Sequence, residues 1–378
     1  MKKKIGIIGS GIAGLTVANL LKTNSDFEVM VYEKEETLSL EEGYGIQLAP
    51  NSISILNKIG FSNISNNNFF NPSKLNFYSA NNDKICDLNL ARFNRDKVKY
   101  TTLKRSTLIE FLKDSLFTSN IQFGKEVKKV SKIKNKLLIN FTDNTNALVD
   151  FIVISDGVFS KTKSVIENKN TKPRYSGSVA IRTIIKSSEE TNYENENISL
   201  IMLRNAHIVI YPINKKNELN LVCIVRQKSL KNNDVNLIIK KEILSQNKNL
   251  ENLFKGHLES WPIYVTKKPS KSIYENLFYL GDAFHAFSPT MAQGAGQSIE
   301  GAKELFDLLS QDTKDIQNIY FKKRLERTKL VDRRSKLNYF SFHLSNLLMT
   351  QIRNIMLKKI TKSEKLLNKY LGSIYQVI

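Results

Sequence analysis

The sequence predicts an α/β protein in three parts: a βαβ, Rossmann-like domain, an antiparallel-sheet domain inserted into it, and a C-terminal helical tail. Three observations carry that expectation. Residues 4–33 read as strand, glycine-rich turn, helix and strand. From Pro173 the texture changes to long β-rich segments, and near Leu277 the earlier pattern of a short buried strand running into a glycine turn returns. From about residue 317 onward, apolar residues recur at helical spacing.

The opening unit can be justified residue by residue. Residues 5–8 form a short apolar strand, 15–21 a helix without a breaker, and 27–32 a second β-rich run ended by Glu33. Between the first strand and the helix lies Gly9-Ser10-Gly11-Ile12-Ala13-Gly14, a G-x-G-x-x-G. In this context each glycine has a mechanical role. Gly9 permits the tight turn off the strand, Gly11 lets a pyrophosphate approach the backbone, and Gly14 lets helix and strand pack closely. The helix N-terminus offers unpaired N–H groups and partial positive charge to phosphates. Glu33 is placed to accept hydrogen bonds from a ribose 2′-OH, so dinucleotide binding is expected. The start, MKKK before an apolar run, also resembles a secretory signal peptide. Against that, three glycines at functional spacing interrupt the run, no Ala-x-Ala-like site follows, and the strand ending in Glu33 would lose its partner.

With 378 residues the chain has room for two domains, or one large and one small. It is 41% hydrophobic, enough for a sizeable core, and no apolar run approaches the ~20 residues of a membrane-spanning helix. Cys86 and Cys223 stand far apart without Cys or His neighbours at metal spacing, so no metal site is expected and a reducing, cytoplasmic setting fits. The formal charge is +21, from 57 basic and 36 acidic residues. Such a charge suits nucleic acid or anionic membrane. However, lysine and asparagine are heavily used throughout and proline is scarce at 7, a bias that fits genome base composition. No nucleic-acid module is recognisable, and nucleic acid is not an expected partner.

Beyond Glu33, residues 43–51 (GYGIQLAPN) carry two glycines and a proline and read as a loop, followed by a short helix over 52–59. A loop there lies at the carboxyl ends of the strands, where ligands bind in open α/β sheets. Residues 72–94 read as a hairpin turning at Asn81-Asn82-Asp83. Residues 100–105 precede an amphipathic helix over 106–116. Arg105 at its first turn opposes the helix dipole; an anionic partner explains it, and an ordinary surface arginine is the plain alternative. Residues 121–156 give three strand-like runs, the last ending in the sharp turn Asp156-Gly157. The inserted sheet takes 178–185, 199–202, 207–213 and 219–226, the last reached through Lys215-Lys216-Asn217. Two helical segments follow near 234–245 and 250–260. Residues 277–280 are again a buried strand. It delivers Gly281-Asp282, passes Pro289 and opens a helix at Gly294 that runs to about Leu309, repeating the physics of the first turn. In the tail Leu337, Phe340, Leu344, Leu347, Leu348, Ile352 and Ile355 share one apolar face.

Three separated motifs point the same way: Gly9 to Gly14 with Glu33; Ser155-Asp156-Gly157-Val158-Phe159-Ser160; and Gly281-Asp282 with Pro289. Together they resemble the single-component FAD-dependent monooxygenases, the group of p-hydroxybenzoate and salicylate hydroxylases, and look closest to the salicylate-hydroxylase-like branch. GIQLAPN at 45–51, Arg105 before its helix, Tyr211-Pro212 in a β-rich stretch and Arg353-Asn354 in the tail also fit, so the likeness covers nearly the whole chain. The resemblance implies FAD as cofactor and NADH or NADPH as co-substrate. Gly9, Gly11, Ala13 and Gly14 would hold the FAD pyrophosphate, and Glu33 the adenosine ribose. Gly45 would belong to the cofactor-binding set, and Arg105 would lie against the phosphate and ribityl region. Asp156 with Gly157 would serve FAD and, transiently, the nicotinamide nucleotide. Gly281 and Asp282 would serve the ribityl chain. Pro289, Gly294 and Ala295 would place a helix terminus near the flavin pyrimidine edge, where it stabilises negative charge on the reduced ring.

The activity so implied is hydroxylation of an aromatic or conjugated small molecule through a flavin C4a-hydroperoxide, which demands a dry pocket. Where the substrate is a phenol a base is useful. His207 and Tyr211, in the expected substrate sheet, are the candidates, although a strand histidine is more often structural; His285 reads as a packing residue. The expected FAD domain is 1–71, 95–170 and 271–315, the substrate domain 72–94 and 171–270, and the helical tail 316–378. The chain departs from the family pattern at Ala292, where glycine is usual, and at Gly301, where an acid usually follows Glu300. Lys161 or Lys163 supplies the basic residue ending the Asp-Gly motif, with no arginine. The absence of a second G-x-G-x-x-G and of a cysteine pair argues against two-nucleotide flavoproteins, and the lone Trp261 against halogenases. Two alternatives stay open: a reductase or dehydrogenase of a lipid-like substrate on the same fold, and a flavin-binding protein without turnover. A monomer or homodimer is expected. The tail is rich in basic residues; its apolar face is expected to pack on the flavin domain, with weak peripheral membrane contact as the alternative.

Overall fold

A computed structural model describes residues 2–38, 40, 44–116, 120–168, 171–186, 193–230, 234–311 and 313–376; Gly43 of the expected loop lies outside them. The chain opens with β1 (Lys3–Ile8), α1 (Ile12–Lys22) and β2 (Phe27–Tyr32). It continues through β3 (Gly45–Leu48), α2 (Pro50–Asn57), β4 (Phe69–Phe70), β5 (Lys74–Tyr78), β6 (Lys84–Asn89), β7 (Thr101–Lys104) and α3 (Arg105–Asp114). Next come β8 (Ile121–Gln122), β9 (Val127–Ile133), β10 (Lys136–Phe141), β11 (Asn146–Val149), β12 (Phe151–Ile154) and α4 (Lys161–Glu167). The inserted part holds β13 (Arg174–Lys186), β14 (Ile198–Leu203), β15 (Ala206–Pro212), β16 (Glu218–Arg226), α5 (Val235–Ile239) and β17 (Glu259–Val265). Then follow β18 (Leu277–Tyr279), α6 (Asp282–His285), α7 (Gly294–Ser310), α8 (Ile316–Phe342) and α9 (Leu347–Lys362).

The first sheet is five-stranded and parallel, in the order β18-β12-β1-β2-β8. Its strands are apolar on both faces because both are covered, as parallel sheets require. Ile5, Ile7, Val29, Val31 and Val153 face α1, α3 and α7. Ile8, Tyr32, Ile152 and Ile154 alternate to the other face and meet the meander β9–β11 through Ile139 and Phe141. Residues 13 to 21 of α1 are all buried, so this helix lies inside the layers and not on the surface.

The second sheet has seven strands in the order β17-β13-β16-β15-β14-β5-β6. The hairpin β5–β6 turns at Asn82, which takes a positive φ of 69°. It joins β14 in parallel, Leu75 opposite Ile198, so the sheet is mixed and not purely antiparallel. The two strands are far apart in sequence, which frees their pairing from hairpin geometry. One face carries its own core with α5 and the segment 248–254; the other faces the tail. A small sheet, β3-β7-β4, packs against β15 and β16 of the second sheet and against α7.

Other expectations are corrected. Residues 45–48 are a strand, not a loop, because β3 pairs with β7 and the Gly45 N–H donates to Asn220 Oδ1 at 2.7 Å. Residues 121–156 give the five strands β8 to β12 instead of three. The helix expected over 250–260 is a 3-10 stretch, Lys248–Phe254, followed by β17, where pairing with β13 decides the conformation of Trp261 and Tyr264. The apolar tail face is exposed at every residue named for it except the half-buried Leu344. α9 packs through its other side, on which Arg353 is buried and Leu357 joins the core.

The tail is tied to the first domain by charge. Glu300 on α7 is buried, accepts from Arg327 Nε and Nη2 at 2.7 Å each, and also accepts from the Asn51 amide of α2. Arg327 further donates to the carbonyls of Ser373 and Ile374. Arg324 Nη1, 3.7 Å from the same carboxylate, would remain as a counter-ion if Arg327 were lost. Arg327→Met should therefore cost roughly 1.5–3 kcal/mol for the lost charged hydrogen bonds, read as a lower urea midpoint; an unchanged midpoint would show that the pair is dispensable.

Candidate active site

β1, β12 and β18 lie side by side, and their tips deliver Gly9, Asp156-Gly157 and Gly281-Asp282 to one cleft. Gly9 has a φ of +98°, and a Cβ there would sit 2.8 Å from the Ser155 carbonyl oxygen. A Cβ on Gly14 would lie 2.0 Å from the Gly9 carbonyl oxygen, so α1 and β1 touch backbone to backbone. Gly11 is different. Its backbone is extended, and a Cβ would meet nothing within 4 Å. The same openness holds at Gly157 and Gly294. Gly11 and Gly294 stand at the starts of α1 and α7, and neither start is capped by a side chain. Unused N–H groups and partial positive charge therefore face open space at two helix termini.

Carboxylates surround this cradle. Glu33 Oε2 accepts from the N–H and Oγ of Ser10 at 2.8 and 2.7 Å, which holds the side chain beside the glycine turn. Asp156 Oδ2 accepts from the Thr162 N–H at 3.3 Å, while its Oδ1 is buried without a hydrogen-bond partner. Burial raises the Asp156 pKa against the pull of its hydrogen bonds. Gly281, at φ +62°, would place a Cβ 2.8 Å from that of Ala13, so Ala13 must be small for the β18 turn to reach α1. Asp282 is walled by protein, which raises its pKa, and the Arg105 charge opposes the rise. Its side chain is nonetheless open to water along the cleft, so solvent blunts the effect. Arg105 starts α3 and donates its N–H to the Tyr44 carbonyl at 2.9 Å.

These features fit FAD: two donor-rich helix termini for the pyrophosphate, acceptors for ribose and ribityl hydroxyls, and an orphaned buried carboxylate oxygen. The departures noted in the sequence also find reasons. Ala292 has a φ of +51°, the left-handed region in which glycine rests without strain. A side chain at Gly301 would begin 3.0 Å from Leu280 Cδ1 and 3.3 Å from Arg324 Nε, so a larger residue would have to displace one of them. Of the two lysines, Lys163 is the buried one and donates to the Ala283 carbonyl at 3.0 Å, tying the Asp-Gly segment to the Gly-Asp segment. Lys161 is exposed and pairs with Glu126.

A cavity of about 460 Å³ adjoins the cleft, with Gly45, Pro289, Gly294 and Ala295 among its lining. Gly45 lacks a side chain for a packing reason, since a Cβ would lie 2.6 Å from that of Asn220. The walls are mainly apolar, from the second sheet and from α8 and α9; Gln47, Tyr100, Arg182, His207, Tyr211 and Asn338 are polar exceptions. Neither base candidate has the properties of a base. Burial pushes the Tyr211 hydroxyl above its usual range, and it bonds to Gln47, whose Oε1 also accepts from Tyr100 at 2.8 Å. His207 is buried, with Nδ1 2.7 Å from His343 Nε2, and burial lowers its pKa to about 3. One ring donates to the other across this contact, which joins β15 to the end of α8.

Sequence reasoning missed Arg182. Its guanidinium lies 5.9 Å from the Tyr44 ring and 5.7 Å from the Trp261 ring, and those rings meet edge to face at 5.0 Å. Its Nε is buried and has no hydrogen-bond partner. The available signal was a single cation within the apolar strand VAIRTII.

Two tests follow from this geometry. Gly11→Val should fold with the thermal midpoint of the flavin-stripped parent and purify without flavin absorbance, because its side chain enters open space needed by the cofactor. Gly14→Val should unfold the domain. A fully flavinated Gly11→Val protein would remove Gly11 from the site. The histidine pair also sets a pH dependence. His207 and His343 are held down to about 3 and about 2 from 6.5, so the unfolded chain binds protons that the folded chain refuses. The stability they contribute is fully present above pH 6.5 and is lost as pH falls toward 3. Unfolding titrations from pH 7 to 4 should show a shallower loss in His207→Val/His343→Phe than in the parent. Equal slopes would show that the pair does not titrate on unfolding.

A family model described as an FAD binding domain matches residues 2–316. The 3-amino-4-hydroxybenzoate 2-monooxygenase of Streptomyces cremeus is 25% identical over 360 residues, 90% of this chain and 88% of that protein. The 6-hydroxynicotinate 3-monooxygenase of Pseudomonas fluorescens is 26% identical, covering 82% and 83%. Among solved structures, Klebsiella pneumoniae HpxO complexed with FAD and uric acid superposes with a TM-score of 0.87 at 19% identity, covering 98% of this chain and 96% of that one. The chain therefore belongs to the FAD binding domain family, alongside FAD-dependent monooxygenases of small aromatic molecules.

Proposed function

We propose that the protein uses NADH or NADPH and O2 to hydroxylate an aromatic or conjugated small molecule in the cavity. One observation carries the reading: Gly294 and Ala295, at the uncapped start of α7, belong both to the cradle and to the cavity lining. Cofactor and substrate chemistry thus share one boundary. Bound FAD would supply the redox chemistry that links NAD(P)H oxidation to the use of O2.

The chain's own residues position and protect. Gly9, Gly11, Ala13 and Gly14 admit and hold the pyrophosphate, Glu33 the adenosine ribose, and Arg105 with Asp282 the ribityl region. Asp156 and Gly157 border the same cleft. The α7 N-terminus favours negative charge at the edge where the cavity begins. Apolar walls from Leu75, Phe77, Leu200, Met291 and Phe342 exclude water from that edge. The Tyr211 hydroxyl, kept protonated by burial, serves as a hydrogen-bond group that orients the substrate. The spare Nε–H of Arg182 suits an electron-rich or anionic substituent. With His207 and Tyr211 both shifted by burial away from the range of a useful base, the cavity favours substrates already ionised or bearing an amino donor.

The test is isotopic. Turnover under labelled O2 should give singly labelled product and labelled water, with substrate accelerating NAD(P)H oxidation and suppressing hydrogen peroxide release. Tyr211→Phe should weaken substrate binding roughly 10-fold while leaving the pH profile unchanged. Product formed at the same rate without oxygen would make the protein a reductase or dehydrogenase instead.

A further inference from the structure

We propose that the hairpin made by the end of α8 and by α9 docks the protein on an anionic lipid surface, with the cavity mouth against the bilayer. On α9, Leu347 is 81% exposed, Leu348 66%, Ile355 67% and Met356 56%; on α8, Leu337 and Phe340 are each 55% exposed. Leu348, Ile352 and Ile355 lie four and three residues apart and form one outward stripe on the helix. Large side chains exposed together in this way mark an interaction surface, whereas scattered single ones do not.

The charge pattern selects the partner. α9 carries Lys358, Lys359 and Lys362, all exposed, and no acidic residue. Lys359 continues the apolar stripe one turn beyond Ile355, and Lys362 follows it, so the stripe runs into a basic end. Long lysine stems can lie along the apolar surface while their ammonium groups reach headgroups. Just past the helix Lys365 and Lys369 add positive charge, and the intervening Glu364 is engaged by Arg92 at 3.4 Å. A second copy of the chain would bring the same cations face to face, whereas anionic headgroups complement them. No helix among the described residues is long and apolar enough to cross a membrane, so this hairpin would lie on the surface.

The cavity opens through the same patch. Leu337, Phe340, Met349, Ile352 and Met356 are exposed on the hairpin and also line the cavity. Docking therefore sets the cavity mouth at the acyl-chain boundary.

The experiment is sedimentation of the FAD-loaded chain with vesicles of phosphatidylglycerol and phosphatidylcholine, and with phosphatidylcholine alone. Its readout is binding, so it stands whether or not turnover is found. The parent should pellet with anionic vesicles and be released by high salt. Lys358→Glu/Lys359→Glu/Lys362→Glu should weaken binding about 100-fold, three basic residues being lost near the surface. Leu348→Ser/Ile355→Ser should weaken it at least ~10-fold. Both variants should keep parental flavin content and thermal midpoint. Failure to pellet with anionic vesicles overturns the proposal, as does pelleting that neither variant weakens. It is also overturned if light scattering shows dimers that Leu348→Ser/Ile355→Ser dissolves, which would assign the patch to a second copy.

Discussion

The close approach of α1 to the tip of β1 is the contact on which the rest of the structure depends. Gly14 lies against the Gly9 carbonyl, with no space between for even a methyl group. Ser155 extends the contact sideways, its Oγ reaching the Ile8 and Gly9 carbonyl oxygens at 2.9 and 3.1 Å, which registers the tip of β12 on that of β1. Gly281 brings the next turn against Ala13 and Ser298, drawing in β18 and α7. Three strand tips and two helix N-termini are thereby gathered around one space. The partial charges at those termini can act together only because the backbones are this near.

The tail packs on the second sheet through an apolar core and is fixed to both domains by polar side chains. Ser178 and Tyr339 share a hydrogen bond of 2.6 Å, Thr290 donates to the Ser335 carbonyl at 2.6 Å, and His207 meets His343. Arg324 donates to the Gln297 carbonyl at 3.0 Å. Directional bonds of this kind fix α8 along its length while leaving one side of the α8–α9 hairpin without a protein partner. Gln47, Tyr100 and Tyr211 likewise orient one another, so that the polar groups of the cavity are placed before any ligand arrives.

The sequence made the cofactor cleft largely legible because its signals are local. A glycine turn between strand and helix, an acid after the second strand, and Asp-Gly and Gly-Asp at later strand ends each state their geometry within a few residues. The hairpin at Asn81-Asn82-Asp83 was legible for the same reason. What was hidden depends on partners distant in sequence. GIQL reads as a loop until β7 pairs with it, and residues 259–260 read as helix until β13 does. The parallel join of β5 to β14 leaves no local mark. Periodicity could show that the tail had an apolar face but not which element, if any, would cover it. The sequence places His207 and Tyr211 in the substrate sheet but does not show the burial that lowers the one pKa and raises the other, which no spacing reveals.

Synthesis of this chain runs ahead of its folding. β1, α1 and β2 leave the ribosome early, but the sheet they belong to also needs β12 and β18, more than a hundred and more than two hundred residues later. Even then α7 carries Glu300, a carboxylate that cannot be buried alone, and its counter-ion Arg327 is itself completed by the carbonyls of Ser373 and Ile374. The nucleotide-binding core therefore cannot close as a unit before Ser373 and Ile374 have been made. Until they emerge, the apolar strands of the first sheet must wait half-covered, in the custody of whatever shields nascent chains.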